Sequence, residues 1–216
     1  TESALNAREE PGVAARRGIF SIWSGAQQLR PLFEYAARTR ESARPLLMAG
    51  FDMQFSTPGA VEYLAKDLRE FFSALDDAGL RRQMQALGED MFAALERLRA
   101  RPQPPVTTIT ISVEHRDAVL RAADKLLALL RAPPPAVSRA HAPVRIAMLE
   151  RSLANLREDA STTYDRRRTD RPRDASRLTL QSAGWNRRDG RMAANLRWLL
   201  EELHRGRKII VWGHNA

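Results

Sequence analysis

Cysteine is absent from the 216 residues, and lysine occurs at only three positions. Without cysteine the chain has no disulfide, no thiolate metal ligand and no cysteine nucleophile, which fits a reducing compartment. No apolar run reaches the ~18 residues that a membrane-spanning helix needs. We therefore expect a cytoplasmic protein that does not cross a membrane.

Several catalytic motifs are also missing. No G-x-S-x-G segment is present, which argues against an ordinary serine hydrolase. The histidines His115, His141 and His204 are scattered and lack H-E-x-x-H spacing, so we expect no dedicated metal site. No glycine-rich phosphate loop occurs either. The sequence thus predicts neither a metal nor another cofactor.

The positive charge comes almost entirely from arginine. The formal net charge is +9, and with three lysines among 35 Lys and Arg residues, arginine accounts for 35 − 3 = 32 of them. This bias is typical of a GC-rich coding sequence and does not by itself indicate a polyanion partner. The oligomeric state is left open by the sequence.

Residues 166–191 are dense in arginine and raise the alternative of nucleic-acid binding. Aspartates interleave there, and Trp185 is the only aromatic residue between Tyr164 and Trp198, so stacking support is thin. We do not expect a nucleic-acid partner. This alternative and a non-catalytic helical scaffold remain open.

Two apolar segments end in a polar tip. Residues 45–52 (PLLMAGFD) and 208–215 (KIIVWGHN) read as buried parallel strands that end near Asp52 and His214. Parallel neighbours would bring both tips to one edge of a sheet, which suits general acid–base chemistry. Two such strands cannot complete a sheet, so we expect further strands outside these residues.

The stretch between these segments has helical periodicity. Thr57-Pro58 resembles a helix start, and proline-rich breaks at 102–105 and 133–135 separate leucine- and methionine-rich faces. The spacing predicts four helices, beginning near 57, 80, 114 and 143, that pack on one another. A later helix is expected to begin near Asn186, with Asp189 completing a capping box.

The predicted fold class is therefore α/β, a fragment of a parallel sheet flanked by helices, with a mostly helical insertion. Residues 1–56 form one part of the α/β core and residues 57–165 the insertion. Residues 166–186 form an arginine-rich loop. Residues 187–216 return to the core with a helix and a strand ending at His214.

Three motifs in the same order resemble the erythromycin esterase family. Arg188–Leu199 (RDGRMAANLRWL), followed by KIIVWGHNA, is similar to the family's RD-x-x-MA-x-N-x-x-WL helix and VVWAHN strand end. Phe20–Trp23 and Gly50–Gln54 resemble its tryptophan segment and GFD-x-Q strand. The match runs from about residue 19 to the end and is loosest over the helices.

The resemblance implies a carboxylic ester hydrolase acting on an ester such as a macrolide lactone, and hence macrolide antibiotic resistance. The family's site joins a Glu-x-x-His-Gly segment to an HN-x-H strand end. His214 matches the first histidine of that strand end, whereas the second histidine and the Glu-x-x-His-Gly segment are not in this sequence. We therefore expect an incomplete portion of a carboxylic ester hydrolase, and the sequence leaves open whether this portion is itself active.

His214 is the predicted catalytic residue, either as the base or as the oxyanion partner. Asp52 is expected to orient an imidazole or to bind substrate, with capping of the next loop as the alternative. Arg188 and Asp189 are expected near the same edge, with helix capping and dipole compensation as the alternative. Asn195 and Trp198 are interpreted as packing residues. The predicted substrate-binding or orienting residues are Asp52, Gln54, Arg188, Asp189 and Asn215.

Overall fold

The computed structural model describes residues 10–19, 21–55, 58–99, 113–167 and 177–212, which are helical or irregular. A 3₁₀ turn at Gln27–Leu29 precedes the third helix, and a π-helical turn at Leu199–Leu203 follows the last. The helices are α1 Pro11–Gly18, α2 Ser21–Ser24, α3 Arg30–Arg38, α4 Pro58–Ser73, α5 Ala78–Arg99, α6 Val113–Arg131, α7 Pro135–Ala140, α8 Pro143–Arg167 and α9 Arg177–Trp198.

The chain divides into two compact units. The first comprises Thr1–Gly50 and Gln54–Arg171, and the second comprises Phe51–Met53 and Pro172–Ala216. Within the first unit, α4 packs on α5, α5 on α6, and α8 on both α5 and α6. The apolar stripes of these helices meet in one core, because each stripe recurs at the helical period. Its fully buried side chains include Phe71, Phe72, Met84, Met91, Leu126 and Leu153.

The amino-terminal helices belong to the same unit. Helix α1 packs against α2, α3 and α4. Ala14 of α1 is buried, and Met48 and Tyr63 pack against it. The small alanine lets the α1 backbone approach its neighbours closely, so a short helix is held on the larger bundle.

One charged pair lies inside the bundle. Arg99, the last residue of α5, donates a hydrogen bond through Nη2 to Oδ2 of Asp159 on α8. Its Nη1 donates to the Phe55 carbonyl oxygen at 2.9 Å. Asp159 is buried. A buried carboxylate is tolerated when an opposite charge and hydrogen bonds satisfy it, so Arg99 ties the end of α5 to α8 and to the loop before α4.

His141 follows α7 and packs flat on an aromatic ring of the core. Its ring centroid lies 3.6 Å from that of Phe71, and its Nε2 donates to the Phe71 carbonyl oxygen at 2.8 Å. Burial lowers the pKa of His141, the bond to Phe71 opposes this, and the charge of Arg145 lowers the pKa further. These effects together favour the neutral form of the ring relative to a free imidazole.

In the second unit, α9 begins at Arg177, so residues 177–186 of the predicted arginine-rich loop are helical; residues 168–176 of that loop lie outside the described ranges. No proline lies between Arg177 and Trp198, so nothing interrupts the backbone hydrogen bonds. The chain leaves the π-helical turn through Gly206, whose φ of 76° lies in the left-handed region that glycine adopts without strain.

The α/β prediction is wrong, because the part of the chain that the structure describes is all helical and contains no strand. Residues 45–52 and 208–212 are irregular; residues 213–215 and the β-branched run at 106–111 lie outside the described ranges. The predicted segments have the right composition, but a strand also needs a neighbouring backbone with which to pair. Ile210 and Val211 are instead 93% and 53% exposed.

Among the described helices, none combines the length and the apolar character needed to cross a lipid bilayer. The described parts of the stretch predicted as a helical insertion are mostly helical, and α4, α5, α6 and α8 begin within 2 residues of the four predicted starts. The short helix α7, Pro135–Ala140, was not predicted. The division into core and insertion stays a prediction.

Replacement of Asp159 by Asn should destabilise the bundle, because it leaves the Arg99 charge without its counter-charge. We expect a loss of about 3 kcal/mol in the free energy of unfolding, measured by urea titration of the helical circular dichroism signal. Glu89→Ala is the control: Glu89 pairs with Arg69 at the surface, where both side chains are about 60% exposed. That change should cost less than about 1 kcal/mol. Equal losses in the two variants would contradict the role of the Arg99–Asp159 pair.

The stability of the bundle should depend on the protonation of His141. Its pKa in the folded chain lies below the reference value of 6.5, so the unfolded chain binds this proton more readily. The stabilisation that comes from neutral His141 is therefore complete above about pH 6.5, and it is lost as the pH falls through the pKa of His141 in the folded chain. His141→Gln keeps a donor for the Phe71 carbonyl but does not titrate, so urea midpoints should decline less on acidification. His115→Gln should behave like the parent chain; identical slopes in all three would refute the assignment.

Candidate active site

Asp52 and Arg188 form an ion pair within the second unit. Arg188 Nη2 lies 2.6 Å from Asp52 Oδ2, and Arg188 Nε lies 3.2 Å from Asp52 Oδ1. Two parallel N–H···O bonds between a guanidinium and a carboxylate fix the orientation of both planes. The pair joins residues 136 positions apart in the sequence.

The backbone next to Asp52 is bound by the same helix. Asn195 Nδ2 donates to the Phe51 carbonyl oxygen at 3.0 Å. Arg188 and Asn195 are seven residues apart, which places them on one face of α9 two turns apart. Met192 and Leu199 share that face, and Leu199 is buried. Residues 51 and 52 are thus fixed by consecutive contacts along one helix.

The pair is accessible from solvent. The side chains of Asp52 and Arg188 are 36% and 37% exposed. The hydrogen bonds from Arg188 to Asp52 raise the pKa of Arg188, partial burial opposes this, and the charges of Asp52 and Asp189 add to the rise. Arg188 therefore remains a guanidinium at any physiological pH. An accessible, oriented cation of this kind can bind a carbonyl oxygen or an oxyanion.

Arg188 and Asp189 lie in the interior of a helix and not at its amino-terminal end, where helix-capping residues would lie. Helix α9 begins at Arg177, so both lie in its interior, and the predicted capping box from Asn186 to Asp189 is wrong. Asp189 is exposed beside Arg188. In the interior of a helix the backbone N–H groups already have partners, so the Asp189 carboxylate has no free N–H group to cap.

The remaining predicted residues divide into two groups. Gln54 is half-buried and belongs to the first unit. His214 and Asn215 lie outside the described ranges, so their predicted roles stay predictions. In the described ranges, no group of three or more His, Asp or Glu side chains is placed to hold a metal ion.

Asn195 is the residue whose contact the sequence interpretation missed. The sequence indicates a packing residue, and Asn195 is buried, with 3% exposure. Its hydrogen bond to the Phe51 carbonyl nevertheless makes it part of the Asp52 site. An asparagine on the apolar face of a helix, seven residues after an arginine, was the available signal, since a buried amide needs a polar partner.

Comparison with known proteins identifies the family to which the chain is similar. The model of the erythromycin esterase family matches residues 2–216 of the chain. No curated protein and no solved structure matches the chain. The similarity extends over the helices at 58–167, where the motif resemblance was loosest, as well as over the segments that carry Asp52 and Arg188.

The strength of the Asp52–Arg188 pair is measurable by a double-mutant cycle. Asp52→Asn, Arg188→Gln and the double variant should give a coupling of about 0.5–1 kcal/mol, the range for ion pairs with this exposure. Urea unfolding followed by tryptophan fluorescence reports on the second unit, which holds Trp185, Trp198 and Trp212, three of the four tryptophans. The coupling should shrink at high salt. Strictly additive losses would mean that the two side chains do not interact in solution.

Proposed function

The chain belongs to the erythromycin esterase family, and we propose that it acts as a carboxylic ester hydrolase in which a water molecule attacks an ester or macrolide lactone. The substrate is a small molecule, and cleavage of a macrolide lactone would confer resistance to that antibiotic. Family membership supports the reaction class. The oriented, accessible Asp52–Arg188 pair is the observation that supports a polar substrate site in this chain.

The reaction needs a base, an oxyanion partner and an acid. The base takes a proton from water, the water oxygen bonds to the carbonyl carbon, and the carbonyl oxygen becomes an oxyanion. The C–O bond to the leaving group then breaks, and that oxygen receives a proton. The products are a carboxylic acid and an alcohol; for a lactone, both remain on one opened chain.

We assign Arg188 to the carbonyl oxygen of the substrate. Asp52 binds Nε and Nη2 and so orients the guanidinium, while Nη1 is not part of that pair. One positioned donor to an oxyanion is worth roughly 3–4 kcal/mol in other enzymes. A guanidinium suits this task because its charge does not change with the protonation events of the reaction.

His214 is the proposed proton-transfer group. An imidazole titrates near neutral pH, so it can accept the proton of water and return it to the leaving oxygen. The alternative, in which His214 donates a hydrogen bond to the oxyanion, places it beside Arg188 at the same oxygen. Asp189 and Asn215 are proposed to contact the substrate, and the role of Gln54, which belongs to the first unit, stays a prediction. The lack of cysteine favours a cytoplasmic location.

The proposal predicts that the full gene product hydrolyses an ester or lactone and that His214→Ala lowers kcat/KM by at least about 100-fold. Nitrophenyl esters provide a colorimetric assay, and a macrolide provides a mass-spectrometric one, through the addition of one water. His115→Ala, which removes a histidine from α6, should leave the rate unchanged. Failure of the wild-type protein on every ester and lactone would refute the reaction class. Full activity of His214→Ala would refute only the role of His214.

A further inference from the structure

Burial of the Asn195 amide costs free energy, and a need to fill space does not explain why an amide lies at this position. The residue lies in the interior of α9 with 3% exposure. Asparagine is a weaker helix former than leucine or methionine, and a buried amide loses hydration that only hydrogen bonds can replace. A leucine at this position would suit the apolar face that carries Leu199. The polar side chain therefore has a purpose other than filling space.

The hydrogen-bond partner of the Asn195 amide indicates what the side chain does. Asn195 Nδ2 binds the carbonyl oxygen of Phe51, the residue directly before Asp52. Residues 51–55 have no helix or strand of their own, so no regular hydrogen-bond ladder sets their position. The orientation of Asp52 then depends on two contacts from α9, one to the preceding carbonyl and one to its own carboxylate.

We propose that Asn195 is a positioning residue for the ester-hydrolysing site: it fixes the Phe51 carbonyl, so that Asp52 holds the Arg188 guanidinium in one orientation toward the carbonyl oxygen of the substrate. This inference rests on the proposed function. Asn195 itself does not touch the substrate. Loss of its hydrogen bond frees the peptide unit before Asp52, and the guanidinium then samples several orientations.

The direct test is Asn195→Leu in the full gene product. Leucine has the same branching and the same number of side-chain heavy atoms as asparagine but no polar group, so the fold should persist and the urea midpoint should stay equal or rise. We expect kcat for an ester to fall at least about tenfold, because small misplacements of a catalytic donor are costly, with KM changed less than about twofold, as befits an interaction made in the transition state. Should leucine prevent folding, Asn195→Ala replaces it with the same expected fall in kcat, although the cavity it leaves should lower the urea midpoint.

Two controls separate positioning from a general structural effect. Asn155→Leu makes the same change on helix α8 of the first unit and should leave kcat unaffected. In an Asp52→Asn background, Asn195→Leu should lower kcat by less than about twofold, because a residue that acts through Asp52 has little left to position. Undiminished kcat in Asn195→Leu, or a full additional loss in the Asp52→Asn background, would overturn the inference.

A failure of the proposed function gives a different pattern. If the wild-type protein hydrolyses no ester, the proposed reaction class is refuted. The positioning role of Asn195 is then tested by the Asp52–Arg188 coupling measured by urea unfolding. The coupling constant should drop at least about twofold in the Asn195→Leu background if the amide positions Asp52. An unchanged coupling constant there would show that Asn195 does not position the pair.

Discussion

Side chains of α9, rather than a neighbouring strand, hold Phe51–Met53 in the second unit. Irregular backbone has polar groups that need partners once they are removed from water. Asn195 supplies one to the Phe51 carbonyl, and Arg188 binds the Asp52 carboxylate at two points. Because the two donors are on one helix face, the helix geometry sets where the carboxylate lies. The orientation of the Arg188 guanidinium, and with it the proposed substrate contact, depends on this arrangement.

The first unit gives the arginine content of the chain a structural explanation. Several arginines of the bundle pair with carboxylates of a neighbouring helix, for example Arg157 with Asp124 at 2.6 Å and Arg131 with Glu150 at 2.8 Å. Arg116 lies over the ring of Tyr164, with 4.4 Å from its Cζ to the ring centroid. In the carboxylate pairs, the positive charge of the arginine is balanced by a neighbouring carboxylate. Each exposed pair adds little stability, but together they fit a surface that is basic in composition and locally balanced.

The helices of the bundle were predictable because their signals are local. The apolar period is contained within each helix, and Pro133–Pro135 separates α6 from α7 without reference to the rest of the chain. The two strands predicted at 45–52 and 208–215 had no such local signal, and the prediction is wrong for the described residues 45–52 and 208–212. Residues 45–52 and 208–212 have the composition of buried strands, but pairing depends on a distant backbone that composition does not reveal. The start of α9 was misplaced because Asn186 and Asp189 match a capping pattern while nothing nearby interrupts the helix.

Two members of the candidate site, Asp52 and Arg188, were predictable from the sequence, whereas the geometry of the pair and the polar contact of Asn195 were not. Asp52 and Arg188 were singled out by motif resemblance, and the structure pairs them; neither their bidentate contact nor the contribution of Asn195 follows from sequence spacing. The Asp52–Arg188 contact joins residues 136 positions apart, so it depends on tertiary packing. The sequence alone does not distinguish a buried asparagine that only fills space from one that donates a hydrogen bond, as Asn195 does. The histidine assignment still depends on the family resemblance alone.

The central claim is that an oriented Arg188 guanidinium binds the ester carbonyl. The most direct measurement is the rate of ester hydrolysis by Arg188→Ala with and without added guanidinium ion. Arg188→Ala should lower kcat about 100-fold, the typical effect of removing one oxyanion donor, and added guanidinium should restore part of the rate by occupying the space beside Asp52. Hydrolysis by Arg188→Ala at the wild-type rate would mean that Arg188 does not bind the ester carbonyl.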